Sequence, residues 1–234
     1  MSKPKRLPFA MLLDRFLVRA TVDEVENITT RMRRIRVTGE SLRGLDWTPG
    51  QHVRVRVDAL TLRSYSVWDF ADGRHLDLCV LDHPGAGPGA RWSRQVRAGQ
   101  PVSFTRPQGR LLLRDGAPYH LFVGDETAGV AFGAMLRALP VSARTYAAIE
   151  VEGPDDRLPL PRTGDIHWAH RTGPAPVVAA LRALDLPAES GAAYVAGEAR
   201  TCQAVRHHLT AERGWPRSAV AVKAFWAPGK RGLD

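Results

Sequence analysis

Three short strings in this 234-residue chain hold residue types that could bind a nucleotide and a redox-active ring. In Arg63-Ser64-Tyr65-Ser66 a cation, an aromatic ring and hydroxyls alternate, so on a β-strand Arg63 and Tyr65 would face the same side. The planar guanidinium of Arg63 could donate paired hydrogen bonds to a phosphate. The ring of Tyr65 could lie against an isoalloxazine ring, and its hydroxyl could donate a hydrogen bond. A surface strand with one buried tyrosine explains the same four residues, and taken alone they favour that explanation.

The second string, residues 85–92, is rich in glycine and leads into a predicted helix. Its glycines would let backbone N–H groups approach a ligand closely. Residues 90–96 are predicted to form the first turns of this helix, and the free N–H groups at its N-terminus form a natural site for a pyrophosphate. A flexible loop that ends in a helix accounts for this string equally well.

The third string, Gly124-Asp125-Glu126-Thr127-Ala128, lies where a predicted strand ends and a helix begins. A second turn of this kind, Ala196-Gly197-Glu198-Ala199, follows a later strand, so the two turns would flank one cleft. Open α/β sheets bind ligands at this carboxyl edge of their strands. The dinucleotide fingerprint GxGxxG is absent, however, and Asp125 to Thr127 also reads as an ordinary helix N-cap.

The first half of the chain is predicted to consist of β-strands. Val53, Val55 and Val57 alternate with polar residues, a period of two that is typical of a half-buried strand. Short runs of this kind, separated by close turn signals, predict an antiparallel β-barrel. The predicted strands are 19–26, 32–38, 52–57, 63–68, 75–81, 102–106 and 111–113.

The second half alternates between strands and helices, which predicts a parallel sheet with helices on both faces. The predicted strands are 120–123, 144–151, 165–171, 192–196 and 220–226, and the predicted helices are 127–139, 176–184 and 200–213. The two halves meet at Gly116-Ala117-Pro118. The sequence thus predicts two domains, an antiparallel barrel over 1–116 and an α/β domain over 117–234.

Composition argues against several classes of protein. Cys79 and Cys202 lie far apart and outside any CxxC spacing, which argues against a disulfide framework and against cysteine-based metal sites. No stretch approaches the roughly 20 apolar residues of a membrane-spanning helix, so integral membrane association is not expected. The basic segment 3–6 precedes an apolar run that Asp14 and Arg15 break, so no secretory signal is recognised and the expected location is cytoplasmic.

The formal net charge of +9 and the isoelectric point near 10.3 favour attraction to polyanions. Dinucleotides, anionic metal chelates and acidic proteins are all partners of that kind. An arginine-rich chain with an ordinary basic surface would show the same charge. The basic residues are dispersed and accompany no recognisable nucleic-acid motif, so nucleic acid is not an expected partner.

Taken together, in this order and spacing, the strings resemble the siderophore-interacting protein family. That family comprises flavin-dependent ferric-siderophore reductases of the wider ferredoxin–NADP reductase superfamily. The resemblance extends from residue 19 to residue 229, and Gly-Asp-Glu-Thr-Ala together with the Arg-x-Tyr-Ser string is fairly specific to the family. The matching stretches are 31–35, 63–66, 87–92, 124–128, 167–171, 196–199 and 225–229.

Two positions depart from the pattern of this family. Gly129-Val130 stands where the family often has leucine and proline, which would loosen the loop after residue 128 and change the nicotinamide geometry. Trp68 stands where a basic residue is frequent, which would weaken one phosphate contact or let the indole stack on the adenine instead.

The resemblance implies that the first domain holds FAD. The isoalloxazine end and the pyrophosphate of FAD would lie beside Arg63, Tyr65 and Ser66. The flavin would also lie near Asp82 and His83. The implied contacts to FAD or the nicotinamide are completed by Gly87, Gly89, Ala90, Trp92, Asp125, Thr127, Ala128 and Trp226, of which residues 87–90 would cradle the pyrophosphate. The flavin carries the chemistry, so the resemblance implies neither a catalytic side chain nor a protein metal ligand.

The resemblance also implies a reaction. Family members take electrons from NADH or NADPH, or in some cases from ferredoxin, and pass them to iron(III) held by a siderophore, which frees iron(II). Lys223, Lys230 and Arg231 would attract an anionic ferric siderophore, although an ordinary solvated surface explains these residues as well.

Three questions stay open on the sequence. Arg144, Arg171 or Arg200 could meet the 2′-phosphate of NADPH, or none of them could, so the donor is undecided. A flavin reductase of the same superfamily that serves an acidic protein acceptor fits the basic charge equally well. A non-catalytic flavin- or nucleotide-binding module would bind FAD without being reduced by a nicotinamide.

Overall fold

The computed structural model of the protein describes residues 17–83, 87–162, 164, 166–173 and 176–230. Contacts between Cα atoms divide the chain into two compact units. Unit 1 runs up to Asn27 and from Arg31 to Gly109, and unit 2 consists of Ile28–Thr30 and the chain from Arg110 onward. Within the described ranges, no helix has the length and apolar character that crossing a membrane requires.

Unit 1 is a closed antiparallel barrel, as predicted, to which the described residues contribute six strands. The strands are β1 (Val18–Asn27), β2 (Met32–Thr38), β3 (His52–Arg56), β4 (Leu62–Ala71), β5 (His75–Leu81) and β6 (Pro101–Phe104). Their order around the barrel is β1-β2-β5-β4-β3-β6, and β6 pairs with both β1 and β3 to close it. The helix α1 (Pro88–Gln95) follows β5 in the chain.

The barrel interior follows the period of two that the sequence shows. Val53 and Val55 of β3 are fully buried, whereas the polar residues that alternate with them, His52, Arg54 and Arg56, are only half-buried. Phe104 of β6 pairs with Val18 of β1 and with Val55 of β3, and all three side chains are buried in one apolar cluster. Burial of apolar surface stabilises by about 25 cal/mol per Å² removed from water, so these alternating apolar side chains hold the barrel closed.

The prediction of a strand at residues 111–113 is wrong. These residues adopt no regular secondary structure, and beyond β6 the chain makes an isolated antiparallel bridge between Gln108 and His52. Since β6 already pairs on both sides, it has no free edge to which a further strand could add. Leu111 is nevertheless buried, which accounts for the apolar run in the sequence.

Unit 2 is built on a parallel sheet. Its strands in the described residues are β7 (His120–Asp125), β8 (Thr145–Val151), β9 (Ile166–His170), β10 (Ala192–Glu198) and β11 (Val220–Trp226). Its α-helices are α2 (Glu126–Ala138), α3 (Pro176–Ala183) and α4 (Ala199–His207), and α4 continues as a π-helical turn over His208–Glu212. The strand order is β11-β10-β7-β8-β9, so the direction of winding reverses between β7 and β10. Open α/β sheets form a ligand crevice at the carboxyl ends of the strands beside such a switch point.

Helices cover both faces of this sheet, as predicted. Leu121 and Val123 of β7 are buried in one apolar cluster with residues of α3 and α4. Phe122 points to the opposite face because successive residues of a strand alternate, and its ring centroid lies 5.3 Å from that of Phe132 on α2. Because β7 and β10 pair in parallel, the two predicted turns that follow them lie at neighbouring strand ends.

Gly129 lies inside α2 and is buried, so the expectation of a loosened loop at Gly129-Val130 is wrong. A Cβ atom at Gly129 would lie 2.6 Å from Cδ1 of Leu158. The missing side chain lets α2 pack closely against the segment that carries Leu158. The departure from the family pattern is therefore explained by helix packing.

Candidate functional site

Arg63 and Tyr65 of β4 form the surface on which α1 begins. A Cβ atom at Gly89, in the first turn of α1, would collide with the hydroxyl of Tyr65 and would lie 3.4 Å from Cγ of Arg63. The ring of Tyr65 also stacks on that of Trp92, one turn further along α1, with centroids 6.2 Å apart and planes inclined by 25°. The helix can approach β4 this closely because residue 89 is glycine.

The N-terminus of α1 offers backbone N–H groups that no side chain caps. Its N-cap is Gly87, with φ of −64°, Pro88 occupies the first helical position, and the first turn contains no acidic residue. Ala90, in the same turn, is buried. Uncapped N–H groups and the positive end of the helix dipole attract an anion, so this helix start is suited to a phosphate.

Arg63 supplies a cation beside this helix start. Its Nη1 donates to the carbonyl oxygen of Leu62 at 2.8 Å, and no carboxylate in the part of the chain that the structure describes forms an ion pair with it. The side chain is half-buried, so its charge is partly withdrawn from water. A guanidinium in this setting retains several donors that can reach a phosphate.

Burial raises the pKa of the Tyr65 phenol above its ordinary value, and the nearby charge of Arg63 offsets part of that effect. The phenol is therefore protonated at neutral pH and can donate a hydrogen bond. Ser66 is buried, and its backbone pairs with His52 of β3. Trp68 is only 8% exposed, which leaves little of its indole for stacking on an adenine. The cofactor roles assigned to residues 63–66 fit these surroundings and stay predictions.

Asp82 and His83 follow β5 and contact α1 through Arg94. Nε of Arg94 lies 2.9 Å from both carboxylate oxygens of Asp82, and its Nη2 donates to the carbonyl oxygen of His83 at 3.4 Å. The Arg94 guanidinium holds the pKa of Asp82 below its usual range. Asp82 thus anchors α1, a role that the sequence did not indicate. Residues 84–86 of the predicted phosphate loop lie outside the described residues.

In unit 2, the carboxylate of Asp125 joins the ends of neighbouring strands. Its Oδ1 accepts hydrogen bonds from N and Oγ1 of Thr127 at 2.9 and 2.5 Å and from N of Ala128 at 3.3 Å. Its Oδ2 accepts from N of Glu198 at 3.0 Å and from Nε1 of Trp226 at 2.8 Å. Asp125 therefore caps α2 and at the same time ties β7 to the ends of β10 and β11.

Two glycines make room for this carboxylate. A Cβ atom at Gly124 would collide with the carbonyl oxygen of Ala196 on β10. Gly197 has φ of +118°, a conformation that other residues rarely adopt, and a Cβ atom there would lie 2.5 Å from Oδ2 of Asp125. Both glycines of the two turns are therefore required by close approach at the switch point.

The helix N-termini at this switch point are occupied by carboxylates, in contrast to that of α1. Asp125 takes the N–H groups of Thr127 and Ala128, and Oε2 of Glu198 accepts from N of Thr201 at 2.7 Å. A ligand phosphate cannot use these N–H groups while the caps are in place. The other oxygen of Glu198, Oε1, is buried without a hydrogen-bond partner among the described residues.

The predicted substrate contacts lie on and after β11, and so does Trp226, which is a predicted cofactor contact. Trp226 ends this strand and is 39% exposed, although its indole N–H is bound to Asp125. Lys223 is half-buried on the same strand, and Lys230 is exposed beyond it. Arg231 lies outside the described residues. The roles assigned to these residues stay predictions.

Asp125→Asn is expected to release Trp226. The side-chain amide would present a donor to the N–H groups of Glu198 and Trp226, and a buried polar group left without its partner costs about 1–3 kcal/mol. The indole N–H signal of Trp226 should then shift and exchange faster with water, as a ¹H–¹⁵N spectrum would reveal, with Trp226→Phe to assign the signal. Asp155→Asn, at an exposed position of the same unit, is the control. An unmoved indole signal would contradict the hydrogen bond.

Arg171 follows β9 and is held by three carboxylates, an arrangement that the sequence analysis missed. Its Nη1 and Nη2 donate to the two oxygens of Glu126 at 2.9 and 2.5 Å. Its Nε donates to Glu150 at 2.8 Å, and its Nη1 lies 3.2 Å from Oε2 of Glu152. Glu126 is 1% exposed, so the cluster is partly withdrawn from water. The hint in the sequence is the pair of glutamates at the end of β8, which does not identify its partner.

Known proteins with related sequences identify the family of this chain. The sequence model of the siderophore-interacting protein family matches residues 117–229. A ferric vibriobactin reductase of Vibrio cholerae is 31% identical over 176 residues, which cover 72% of this chain and 65% of that protein. The chain belongs to the siderophore-interacting protein family. The resemblance carried by the motif strings is thereby confirmed.

Other relatives of this siderophore-interacting protein differ in the share of their own length that the match covers. The crystal structure of a siderophore utilization protein from T. fusca is 25% identical, with a TM-score of 0.79, and the match covers 93% of this chain and 95% of that one. An uncharacterized protein of Mycobacterium tuberculosis is 33% identical over 168 residues, which cover 67% of this chain and 58% of that protein. The chain thus spans less than two thirds of the length of these two curated relatives.

Proposed function

We propose that this siderophore-interacting protein is an FAD-dependent reductase. It passes electrons from NADH, NADPH or ferredoxin to the iron(III) of a ferric siderophore and so frees iron(II). The observation that carries the proposal is the uncapped N-terminus of α1, seated through Gly89 on Arg63 and Tyr65. The likeness to a ferric vibriobactin reductase supports a ferric siderophore as the substrate.

The residues of unit 1 fit FAD. In this proposal the first turn of α1 and Arg63 hold the pyrophosphate, because free N–H groups and a guanidinium are the donors that phosphate oxygens need. Tyr65 and Ser66 lie at the isoalloxazine end, and stacking on Trp92 keeps the Tyr65 ring in place. When bound, FAD supplies both two-electron and one-electron chemistry, which the protein orients and tunes.

Unit 2 binds the electron donor in this proposal. The exposed side of the Trp226 indole can cover a planar ring. Thr127 donates its hydroxyl to Asp125 and keeps lone pairs that can accept from a ligand. These groups suit a nicotinamide, which carries both an amide and a flat ring.

An anaerobic absorbance experiment tests the whole proposal. The purified protein, supplied with FAD, is mixed first with NADH or NADPH and then with a ferric siderophore in the presence of an iron(II) trap. We expect the flavin bands to bleach with a nicotinamide and to recover with the chelate, with one trapped iron(II) for each electron. Iron-free siderophore is the control and should leave the flavin reduced. Failure to bind FAD even on reconstitution would refute the proposal.

Ferredoxin is distinguished by the same experiment. If the flavin ignores both nicotinamides but is oxidised rapidly by the ferric siderophore after chemical reduction, the donor is a protein. The net charge of +9 favours a second candidate function, in which an acidic protein accepts the electrons. Faster turnover with an acidic iron–sulfur or haem protein than with any ferric chelate would support that second function.

Lys223→Glu is expected to weaken the capture of an anionic ferric chelate. Reversing a charge that steers the chelate should raise its KM by about tenfold at low ionic strength while kcat changes little. Steady-state kinetics with one anionic and one neutral ferric chelate measure the effect, and the neutral chelate should be unaffected. Arg217→Glu makes the same charge change just before β11 and is the control. An unchanged KM in Lys223→Glu would exclude Lys223 from the substrate path.

A further inference from the structure

We infer that unit 2 has an anion-binding site in a basic cleft at the amino end of its sheet. The site takes a small molecule with at least two oxyanion charges, such as a pyrophosphate or a polycarboxylate. The cleft lies beside α4 and has a volume of about 430 Å³. It is lined by Gln203, Arg206, His207, Thr210, Ala211 and Arg217. The inference goes beyond the proposed function, which assigns none of these residues to FAD, the electron donor or the siderophore.

The position of the basic cleft follows from the direction of α4. This helix begins directly after the carboxyl end of β10 and runs back toward the amino end of the sheet. Since an α-helix rises about 1.5 Å per residue, Arg206 lies about 10 Å along the helix axis from its start. Arg217 opens the 3₁₀ turn that leads into the amino end of β11. The cleft is therefore at the end of the sheet away from the edge where Asp125 and Trp226 meet.

One side of α4 supplies most of the lining. Arg206 and His207 follow Gln203 by three and four positions, so the three side chains lie on the same side of the helix. All three are exposed, whereas Cys202 and Val205 on the other side are buried in the apolar core. The π-helical turn that continues α4 extends this wall, and such turns occur frequently at functional sites.

Arg217 adds a cation from a separate segment of the chain. Basic side chains in the last turn of a helix interact favourably with its dipole, which by itself would account for Arg206 and His207. The dipole does not account for Arg217, which comes from the turn before β11 and lines the same cleft. An anion bound between the two guanidiniums would relieve their mutual repulsion. The convergence of the two segments therefore favours an anion as the occupant.

The lining offers hydrogen-bond donors and no carboxylate. In the part of the chain that the structure describes, neither Arg206 nor Arg217 forms an ion pair. Each guanidinium presents a planar fork of N–H donors that matches the oxygens of a phosphate or carboxylate. The Gln203 amide and an N–H of His207 can add neutral donors. The Thr210 hydroxyl adds none, because it donates to the carbonyl oxygen of Arg206 at 2.9 Å.

The size of the cleft suits a small molecule. Sites for small ligands typically have volumes of about 300–1,000 Å³, and this cleft lies toward the lower end of that range. Most such sites are lined mainly by apolar side chains, whereas Ala211 is the apolar residue that lines this one. Charge must therefore provide the recognition, and two guanidiniums match at least two negative charges. Pyrophosphates, phosphate esters and polycarboxylates share this chemistry.

Anion binding to the FAD-loaded protein tests the inference. Inorganic pyrophosphate, citrate and acetate are titrated at low ionic strength while ¹H–¹⁵N spectra are recorded. We expect pyrophosphate or citrate to bind at least about tenfold more tightly than acetate, which corresponds to about 1.4 kcal/mol. The side-chain amide of Gln203 and the backbone amides of residues 206–211 should shift, whereas the indole signal of Trp226 should not. Tighter binding of pyrophosphate identifies a phosphate ligand, and tighter binding of citrate identifies a polycarboxylate.

Variants of the two arginines show whether the cleft is the site. Arg206→Gln and Arg217→Gln should each lower the affinity for the tighter probe at least about tenfold, because each removes one charge-assisted contact. Arg217→Lys keeps the charge but loses the planar fork, so its affinity should lie between. Arg144→Gln is the matched control, since it makes the same change of charge at an exposed residue before the amino end of β8, two strands away from β10. The control should keep the parent affinity, and circular dichroism should show that all variants are folded.

Several results would overturn the inference. Binding of none of the anions, or shifts at Trp226 without shifts at residues 206–211, would reject the cleft as the site. Equal losses of affinity in Arg144→Gln and Arg217→Gln would show a general attraction to the positive net charge. Binding of an acidic peptide but of neither pyrophosphate nor citrate would reject a small molecule as the occupant. The proposed function is judged separately, by FAD binding and by reoxidation of chemically reduced flavin with a ferric siderophore.

Discussion

Gly89→Ala is expected to deprive the protein of its FAD while leaving the barrel folded. The added Cβ atom collides with the Tyr65 hydroxyl and comes within 3.4 Å of Cγ of Arg63. Tyr65 cannot simply swing away, because its ring is packed against the barrel core and stacks on Trp92. The first turn of α1 must therefore lift from β4, which separates the helix N–H groups from the Arg63 guanidinium. We expect the affinity for FAD to fall at least about 100-fold, or about 2.7 kcal/mol.

The ratio of flavin to protein absorbance after dialysis measures this loss, and circular dichroism confirms that the strands remain. Gly153→Ala in unit 2 is the control, since Gly153 has an extended backbone with φ of −154° and a Cβ atom there would meet nothing within 4 Å. A rescue is available, because Tyr65→Phe removes the oxygen that collides. The double variant Gly89→Ala/Tyr65→Phe should regain part of the lost affinity. Full flavin content in Gly89→Ala would show that the N-terminus of α1 is not the pyrophosphate site.

Arg171→Met is expected to destabilise unit 2 strongly. The substitution removes the guanidinium that binds the buried carboxylate of Glu126 and the neighbouring Glu150, and removing one partner of a buried ion pair typically costs about 3–5 kcal/mol. Methionine retains much of the arginine side-chain volume, so loss of charge rather than a cavity dominates the effect. Denaturant unfolding followed by tryptophan fluorescence measures the change.

Arg182→Met is the control for this second prediction. Arg182 pairs with Glu212 at 2.9 Å, but both side chains are exposed, and exposed pairs contribute about 0–1 kcal/mol. Adding Glu126→Gln to Arg171→Met removes the negative charge of one carboxylate that has lost the Arg171 guanidinium, and it should recover part of the lost stability. If Arg171→Met unfolds no more easily than Arg182→Met, the cluster does not stabilise the sheet edge.

Local patterns were enough to predict most of the secondary structure. The alternation of Val53, Val55 and Val57 and the strand–helix rhythm of the second half depend on neighbouring residues, and the structure has both the barrel and the parallel sheet. The turns at 124–128 and 196–199 were also placed correctly, because a glycine next to an acidic residue that can cap a helix is typical of a helix N-terminus. The prediction of a strand at 111–113 was wrong because an apolar run indicates that side chains are buried but does not show that the backbone pairs with another strand.

The sequence by itself determined the types of residue that could meet a flavin and the order in which they come. The tertiary structure alone decided which of them have partners. Arg94 is paired with Asp82, and Arg171 is bound to Glu126 across 45 positions of the chain, whereas Arg63 donates to the carbonyl oxygen of Leu62 and pairs with no carboxylate among the described residues. The physical reason is that partners so distant in sequence meet only through strand order and register, and no local pattern encodes these.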